Sequence, residues 1–289
     1  MSVEKDSFIS IVIPAHNEEQ VILRCLKHLS NGIDNNKVEI IVVCNGCTDN
    51  TAKNIEHDFP DVIVIETDVA SKTNALNLGD GIAKGFPRFY VDADILMDGA
   101  SIMKMADLMD KSAVLAASPK LDLDLERRPW SIKAFYQIWA KLPYVQNEAI
   151  GSGVYALSEQ GRRRFHSFPP LIGDDAYVRC LYLPNEKKVI EEVSFTIFPP
   201  NNILDLIRIK SRVKAGNYQL KNEHPELFKE KLNTTSTGKA LSLLFREFYL
   251  WPAICVYIIV NIFSFVFGSY KFHFQKKIYW NKDASSRKL

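Results

Sequence analysis

The stretch Phe86-Pro-Arg-Phe-Tyr-Val-Asp-Ala-Asp94 is the most informative part of this 289-residue chain. Its first six residues form a largely apolar run that predicts a buried strand, and Asp92 and Asp94 follow directly. Side chains two residues apart in an extended segment point to the same side. The two carboxylates are therefore expected to project together from the strand end, where the small Ala93 leaves room for a ligand.

Paired carboxylates of this kind suit hard cations. Mg²⁺ and Mn²⁺ prefer oxygen ligands and commonly bridge carboxylates to the phosphates of a substrate. The same spacing also ends strands or caps helices without any ligand. Asp122-Leu-Asp124, which we interpret as a surface loop, is such a case. The pair at Asp92 and Asp94 therefore needs support from the rest of the chain.

Composition limits the possible classes of protein. The chain is 47% hydrophobic and long enough to bury a large core, and its net charge of +2 argues against a nucleic-acid binder. Its five scattered cysteines are typical of a reducing cytoplasm, and the polar start Met1–Ser7 does not resemble a signal peptide. Cys44-Asn-Gly-Cys47 has redox or zinc spacing, but no second Cys/His pair follows it in the sequence.

Residues 8 to about 120 alternate strand-like and helix-like segments, which predicts a mostly parallel sheet with helices on both faces. The predicted strands are Phe8–Ile13, Val38–Val43, Val62–Ile65, Phe86–Val91 and Ala113–Ala117. Asn17, Asp49 and Ser71 are each placed to cap the helix that follows. Ligands bind beyond the carboxyl ends of such strands. Four polar groups fall there: Pro14 to Glu18, Asn45 to Asp49, Lys72, and Asp92 with Asp94.

The second half of the chain is less regular. Its patterns predict helices over Trp130–Leu142 and Asn202–Leu220, strands over Ile150–Leu157 and Val189–Phe198, and a short helix opened by Asp174 and Asp175.

Five segments together resemble the motifs of family-2 glycosyltransferases, whose GT-A fold is a Rossmann-like, mostly parallel mixed sheet. They are Ser10-Ile-Val-Ile-Pro-Ala-His-Asn-Glu-Glu19, Val42-Val-Cys-Asn-Gly-Cys-Thr-Asp-Asn-Thr51, Lys72-Thr-Asn-Ala-Leu-Asn77, Tyr90-Val-Asp-Ala-Asp94 and Gly173-Asp-Asp175. The resemblance covers about residues 8 to 215. It implies a GT-A domain over 1–235, with a nucleotide-sugar half (about 8–120) and an acceptor half (about 121–235), followed by membrane-associated helices and a basic tail over 236–289.

The resemblance also assigns roles on the donor side. The nucleotide base and ribose would be cradled by Pro14, Ala15, His16, Glu18, Asn45 and Asp49. Lys72 would approach the donor diphosphate as a point charge. Asp92 would bind the ribose and Asp94 the cofactor, Mg²⁺ or Mn²⁺, with Ala93 between them.

On the acceptor side, Asp175 would be the general base that removes the proton of the attacking hydroxyl. A single displacement with one base implies inversion at the anomeric carbon. Gly151, Ser152 and Gly153 resemble the segment that lets a sugar approach the backbone, and Asp174 and Arg212 would complete this side. A β-bulge, a helix cap and a solvated basic face respectively would give the same patterns.

The resemblance is incomplete at two positions. Cys44 stands where the family commonly has an Asp that contacts the base, and a thiol accepts hydrogen bonds poorly, which weighs against a UDP donor. Asp174 replaces a Glu and is one methylene shorter. Two alternatives are a sugar-phosphate nucleotidyltransferase, whose Gly-rich signature Pro14–Glu19 lacks, and an inactive nucleotide-binding membrane scaffold. No G-x-G-x-x-G follows the first strand, which argues against a dinucleotide oxidoreductase.

The run Phe248–Tyr270 contains no charged residue, and roughly 20 apolar residues suffice to cross a bilayer of about 30 Å. The basic tail from Lys271 onward and the use of cytosolic nucleotides both favour the cytoplasmic side. We therefore expect attachment to the cytoplasmic face of a bacterial inner membrane, by a crossing helix, a re-entrant hairpin bent at Pro252, or a helix lying in the interface. The expected acceptor is lipid-linked or a membrane-borne glycan, in surface polysaccharide or glycolipid biosynthesis.

Overall fold

The computed structural model describes residues 8–142, 145, 150–228 and 247–274. These residues form two compact units. The sheet unit is built from residues 8–122, 150–170 and 181–197, and the helical unit from residues 123–142, 145, 171–180, 198–228 and 247–274. The order of helices and strands along the chain is mixed, so each unit is assembled from segments that are distant in sequence.

Within the described residues, seven strands form the sheet, in the order β3-β2-β1-β4-β6-β5-β7. They are β1 (Ile9–Ala15), β2 (Val38–Asn45), β3 (Ile63–Thr67), β4 (Arg88–Val91), β5 (Ala116–Leu123), β6 (Val154–Leu157) and β7 (Lys187–Ile197). β1 pairs in parallel with β2 and β4, and β2 with β3, whereas β6 runs antiparallel to both β4 and β5. The predicted mostly parallel mixed sheet is confirmed.

Helices of the sheet unit lie between these strands in sequence. They are α1 (Ile22–Leu29), α2 (Thr51–Asp58), α3 (Lys72–Ile82), α4 (Gly99–Ser112) and the short α6 (Glu159–Arg162). Every residue of β1 is buried, as expected for a strand that is covered on both faces. On α1 the buried residues recur at helical spacing (Ile22, Cys25, Leu26 and Leu29) and join the main core.

Helix α3 approaches the sheet closely because Gly79 has no side chain. A Cβ atom at Gly79 would lie 2.5 Å from Cγ1 of Val12 in β1 and 3.2 Å from Cγ2 of Val43 in β2. The N-terminus of the helix is capped by Ser71, whose Oγ accepts the N–H of Asn74 at 3.3 Å. The predicted cap at Ser71 is confirmed, and it fixes Lys72 as the first residue of α3.

Two other predicted caps are wrong in detail. Asn17 does not cap α1, which begins at Ile22 after an N-cap residue, Val21, that makes no side-chain hydrogen bond. Asn17 has a φ of +53° and forms part of a turn instead. The N-cap residue of α2 is Asn50 rather than Asp49, although the Asp49 carboxylate does accept the N–H of Thr51 at 3.1 Å.

Several strand boundaries also differ from the prediction. The strand predicted over Ala113–Ala117 is observed as β5, Ala116–Leu123, because Ala113 ends helix α4 with a φ of +50°. The predicted strand over Ile150–Leu157 begins only at Val154, because Gly151 and Gly153 have φ values of +137° and +108°, which are incompatible with a regular strand. Asp122, predicted in a surface loop, is exposed as expected but belongs to β5. The first four residues of this strand are buried, and its last four, which include Asp122, are exposed or partly exposed.

The helical unit contains α5 (Trp130–Trp139), α7 (Asp174–Cys180), α8 (Ile203–Glu223) and α9 (Trp251–Phe274), with 3₁₀ turns at Pro225–Phe228 and Phe248–Leu250. Helix α9 is continuous from Trp251 to Phe274, so the described residues contain no bend at Pro252, which was one of the three possible modes of membrane attachment. Pro252 is the second residue of α9, where its missing N–H costs no helical hydrogen bond. By length and composition, Phe248–His273 is apolar enough to cross a membrane.

The close packing of α3 can be tested with two glycines of the same helix. We expect Gly79→Ala to lower the free energy of unfolding by about 1–3 kcal/mol, because the new methyl group overpacks against β1. Gly81 is exposed and a Cβ there would meet nothing within 4 Å. Gly81→Ala is the control and should raise stability by about 0.4–1 kcal/mol. Urea unfolding measures both, and equal effects would contradict the packing argument.

Candidate active site

Asp92 and Asp94 follow β4, which lies between β1 and β6 in the sheet. Burial alternates along this segment: Val91, Ala93 and Ile95 are buried, whereas Asp92 and Asp94 are partly exposed. This alternation is the pattern expected for two carboxylates on the same side of an extended chain. The predicted projection of the pair therefore agrees with the geometry.

Lys72 lies against the first of these carboxylates. Its Nζ is 2.8 Å from Oδ1 of Asp92, and the two side chains are 19% and 37% exposed. Lys72 is also at the N-terminus of α3, where the helix dipole favours negative charge. An anionic diphosphate arriving here would meet a lysine that is already held in place by Asp92.

Gly153 contacts the same aspartate through its backbone. Its carbonyl oxygen accepts the N–H of Asp92 at 2.8 Å. A Cβ atom at this glycine would lie 3.5 Å from Oδ2 of Asp92 and 3.1 Å from Cγ2 of Ile95. The glycine therefore keeps the space beside Asp92 clear. Ser152, just before it, is half-buried.

The predicted base-binding residues lie at the ends of β1 and β2, and most of their side chains are buried: Pro14, Ala15, Glu18 and Asn45. Nδ2 of Asn45 donates to the carbonyl of Ala15 at 2.8 Å. His16 is partly exposed, and its Nδ1 lies 2.5 Å from the carbonyl oxygen of Asn45. Because that oxygen can only accept, Nδ1 carries the proton. A base at this edge would meet the His16 ring and backbone groups.

The loops after β1 and β2 are tied together by side chains that bond to the backbone of the opposite loop. Oδ1 of Asn17 accepts the N–H groups of Thr48 and Asp49 at 2.7 and 3.3 Å. In return, Oδ2 of Asp49 accepts the N–H of Glu19 at 3.2 Å, and Thr51 Oγ1 accepts that of Glu18 at 2.8 Å. Asp49, predicted to contact the donor, therefore also holds the loop in shape.

Cys44 and Cys47 belong to the same edge. Cys47 Sγ accepts the N–H of Asn17 at 3.3 Å and donates to the carbonyl of Ala15 at 3.6 Å. A hydrogen bond from Cys44 and the Asn17 N–H together lower the pKa of Cys47 to about 6, against the effect of burial. In the part of the chain that the structure describes, no three His, Cys, Asp or Glu side chains are grouped to hold a metal. A zinc site at this cysteine pair therefore finds no support there.

A buried ionic network under the site was not foreseen from the sequence. Asp80, in the last turn of α3, accepts from Arg88 NH1 at 2.7 Å and from Tyr90 OH at 2.5 Å, both in β4. Arg162 of α6 donates to the second carboxylate oxygen from Nε at 2.9 Å. Burial alone would raise the pKa of Asp80, but hydrogen bonds from Arg162, Tyr90 and Arg88 hold it below its ordinary value. The sequence did contain one signal for this network: Arg88 lies inside the predicted buried strand Phe86–Val91, where a charged side chain requires a buried partner.

The residues at the strand ends fit a divalent cation in one particular way. Asp92 and Asp94 supply two carboxylates, which is fewer than an all-protein cage requires. Mg²⁺ and Mn²⁺ sites that serve phosphate substrates typically use one or two carboxylates and complete the shell with phosphate oxygens and water. The donor set therefore fits a metal that binds together with a nucleotide diphosphate.

The predicted acceptor-side residues Asp174, Asp175 and Arg212 belong to the helical unit. Asp174 is 4% exposed at the start of α7, whereas Asp175 is partly exposed and its Oδ1 accepts the N–H of Ala176 at 2.7 Å. Arg212 is half-buried on α8.

Helix α8 fixes the start of α7. The N–H of Ile172 donates to Oε1 of Gln219 at 3.1 Å. A Cβ atom at Gly216 would lie 3.3 Å from the backbone nitrogen of Gly173. The segment that precedes Asp175 therefore rests directly on the backbone of α8, which limits how far Asp175 can shift.

The sheet, with polar groups at the carboxyl ends of β1, β2 and β4, is that of a GT-A glycosyltransferase. Residues 10–165 match the model of glycosyl transferase family 2. The match spans more than half of the chain, and the chain therefore belongs to this family of enzymes. A comparison with curated protein sequences finds no significant match.

Solved structures with the same fold are distant in sequence. The mannosyltransferase PcManGT from Pyrobaculum calidifontis, solved with GDP-Man and Mn²⁺, has a TM-score of 0.64 and 15% identity, covering 94% of this chain and 88% of that one. TarS from S. aureus has a TM-score of 0.52 and 16% identity, covering 78% and 46%, so this chain spans less than half of that TarS chain. Glucosyl-3-phosphoglycerate synthase from Mycobacterium tuberculosis, solved with phosphoglyceric acid, has a TM-score of 0.54 and 18% identity, covering 75% and 79%. These similarities establish the shared fold.

The network at Asp80 yields a prediction for stability. We expect Asp80→Asn to lower the free energy of unfolding by about 3–5 kcal/mol at neutral pH, because the buried Arg88 and the partly buried Arg162 lose their carboxylate partner. Asp107→Asn, at an exposed position of α4, is the control and should change it by less than about 0.5 kcal/mol. Urea unfolding of the three proteins is the measurement.

The same comparison has a defined pH dependence. Since the pKa of Asp80 is lower in the folded than in the unfolded state, its stabilising effect is complete above the unfolded pKa of about 4 and is lost as the pH falls through the folded pKa. The gap between wild type and Asp80→Asn should therefore narrow below about pH 4. A gap that stays constant with pH would rule out the ionised carboxylate as its cause.

Proposed function

We propose that this protein is an inverting, metal-dependent glycosyltransferase that moves a sugar from a nucleotide-sugar donor to a lipid-linked or membrane-borne acceptor. The observation that carries the proposal is the group at the end of β4. There Lys72 and Gly153 both contact Asp92, and Asp94 lies on the same side of the chain. This group combines a cation, two carboxylates and a glycine that places no side chain beside Asp92, and these features are suited to binding a sugar diphosphate.

On the donor side, the ammonium group of Lys72 leaves its ion pair with Asp92 and pairs with phosphate oxygens of the donor. It thereby neutralises part of the diphosphate charge. Asp92 is then available to hydrogen-bond the ribose, as the family resemblance implies. Asp94, together with Asp92, would hold a divalent ion, which would supply Lewis-acid stabilisation of the leaving nucleoside diphosphate. The complex of PcManGT with GDP-Man and Mn²⁺ supports this assignment by analogy.

The acceptor hydroxyl requires a base, and we assign that role to Asp175. Its side chain is partly exposed, while the neighbouring Asp174 is buried and belongs to the same first turn of α7. The contacts of Gly173 and Ile172 with α8 limit the movement of this turn. The Asp175 carboxylate takes the hydroxyl proton as the oxygen attacks the anomeric carbon, and one such displacement inverts the configuration.

The membrane-borne acceptor is supported by the apolar segment Phe248–His273. Exposed aromatic residues occur together at its start, such as Phe248 and Tyr249 (74% and 73% exposed), and exposed apolar patches of this kind mark protein or membrane interaction sites. We assign the protein to the cytoplasmic face of a membrane, where cytosolic nucleotide sugars are available. A role in surface polysaccharide or glycolipid synthesis follows from an acceptor of this kind.

Donor binding can be tested by calorimetric titration of the purified chain with UDP, GDP, CDP and dTDP, each with and without Mn²⁺. We expect manganese-dependent binding of one nucleotide and at least a tenfold loss of its affinity in Asp94→Asn, equivalent to about 1.4 kcal/mol. Asp107→Asn should bind as the wild type does. Folded protein that binds none of the four would instead favour an inactive scaffold.

The assignment of Asp175 separates binding from chemistry. We expect Asp175→Asn to reduce transfer of radiolabelled sugar into a membrane lipid extract by at least about a hundredfold, the usual contribution of a general base. Its affinity for the nucleotide identified by titration should stay within twofold of the wild type. A drop in donor affinity of more than about tenfold would place Asp175 on the donor side.

A further inference from the structure

Helix α9 has two apolar faces, and the described residues of the chain cover only one of them. The covered face repeats at heptad-like spacing through Ala253, Tyr257, Val260, Ser264 and Gly268, which are all buried. On the opposite side the residues are exposed at the same spacing: Cys255, Ile259, Ile262, Val266 and Tyr270. Ile262 and Val266 are 56% and 54% exposed. We call this second set the outer face of α9.

The covered face of α9 packs on α5 and α8. The ring of Tyr257 stacks on that of Phe135 in α5, with centroids 5.2 Å apart. Near the other end, a Cβ atom at Gly268 would lie 2.9 Å from the carbonyl oxygen of Ser211 in α8, and Oγ of Ser269 lies 3.4 Å from Tyr218 OH. These contacts join both halves of α9 to the helical unit.

The packing partner α8 is rich in charge. Arg208 is 71% exposed, and Lys210 lies with its Nζ 4.6 Å from the Trp139 ring centroid of α5. Arg212 and Lys214 follow on the same helix. If α9 crossed a bilayer while it kept these contacts, α8 would carry its cationic side chains into the hydrocarbon, at a large cost in free energy.

An interfacial position avoids that cost. An in-plane helix buries its apolar side by about 5–10 Å in one leaflet and leaves the other side to water or, here, to protein. The aromatic residues Phe248, Tyr249 and Trp251 are exposed at the start of the segment, and aromatic side chains of this type favour the level of the lipid headgroups.

The charge at the other end of the helix indicates the kind of lipid. Burial, and then the like charges of Arg212 and Arg208, lower the pKa of Lys271. Arg208 is also paired with Asp205 at 2.6 Å, and an anionic phosphate close to Lys271 would favour the charged form of this lysine. The sequence adds further basic residues after α9: Lys276, Lys277, Lys282, Arg287 and Lys288. Each basic residue near an anionic leaflet adds attraction.

We propose that α9 binds one leaflet of an anionic bilayer through its outer face and lies in the membrane plane without crossing it. The inference rests on the membrane location included in the proposed function but is independent of sugar transfer. It replaces the choice among crossing, hairpin and interfacial attachment by a single arrangement.

The first test is sedimentation of the full-length protein with sealed vesicles of phosphatidylcholine, with and without phosphatidylglycerol. We expect binding to the anionic vesicles that is at least tenfold tighter than to the neutral ones. Ile262→Glu and Val266→Glu should each weaken it at least tenfold, while Leu183→Glu, at an exposed apolar position of the sheet unit (47% exposed), should not. Circular dichroism and thermal unfolding verify that each variant is folded.

The second test measures depth and uses conservative changes. An environment-sensitive fluorophore is placed at Cys255 or, with Cys255 replaced by Ser, at Ile259→Cys, Ile262→Cys or Val266→Cys, in a chain with Cys47 and Cys180 changed to Ala. Quenching by lipids labelled at different depths should give nearly the same shallow depth for all positions. A depth that changes steadily along the helix and reaches the bilayer centre would overturn the proposal.

Two further outcomes would also overturn it. The first is a folded wild-type protein that binds neither kind of vesicle. The second is self-association through the outer face: the wild type would be dimeric and would not bind vesicles, whereas the Ile262→Glu variant would be monomeric. Asp175→Asn should bind vesicles as the wild type does. A failure of nucleotide titration would therefore leave the vesicle result unaffected, and the reverse also holds.

Discussion

The fold of the sheet unit depends on how helix α3 is held against strand β4. At one end of the helix, Asp80 accepts hydrogen bonds from Arg88 and Tyr90; at the other, Lys72 reaches the carboxylate of Asp92. Helix α3 runs antiparallel to β4 and is fixed at both ends. The position of Lys72 therefore depends on the contacts of Asp80 at the far end of the helix. In the role proposed for it, a lysine placed in this way would need little reorganisation when a diphosphate binds.

The loops after β1 and β2 are likewise fixed by polar contacts between segments that are distant in sequence. Asn17 and Asp49 satisfy backbone N–H groups of each other's loop, so polar residues that look like ligand contacts in the sequence also shape the site. His16 is partly exposed at this edge and is held by the backbone carbonyl of Asn45. The buried Cys44 stands at this edge where the family commonly has an Asp. The edge therefore has one carboxylate fewer, which bears on which nucleotide base it would accept.

In the helical unit, helix α8 contacts both α7 and α9. Helix α8 supports the start of α7, through Gly216 and Gln219, and so fixes the segment before Asp175. It also packs along α9, which presents an apolar face outward. Helix α8 therefore connects the segment before Asp175 with helix α9 through one set of contacts.

The sequence by itself determined the parallel sheet, the placement of polar groups at its carboxyl edge, the projection of Asp92 and Asp94, and the cap at Ser71. All of these follow from local periodicity and from the geometry of consecutive residues. Tertiary structure alone decided the buried partners of Asp80, the cross-loop role of Asn17 and the packing of α9 on α8. Each of these joins residues that are far apart in the chain, and hydrophobicity and turn preference carry no information about which distant group a side chain will meet.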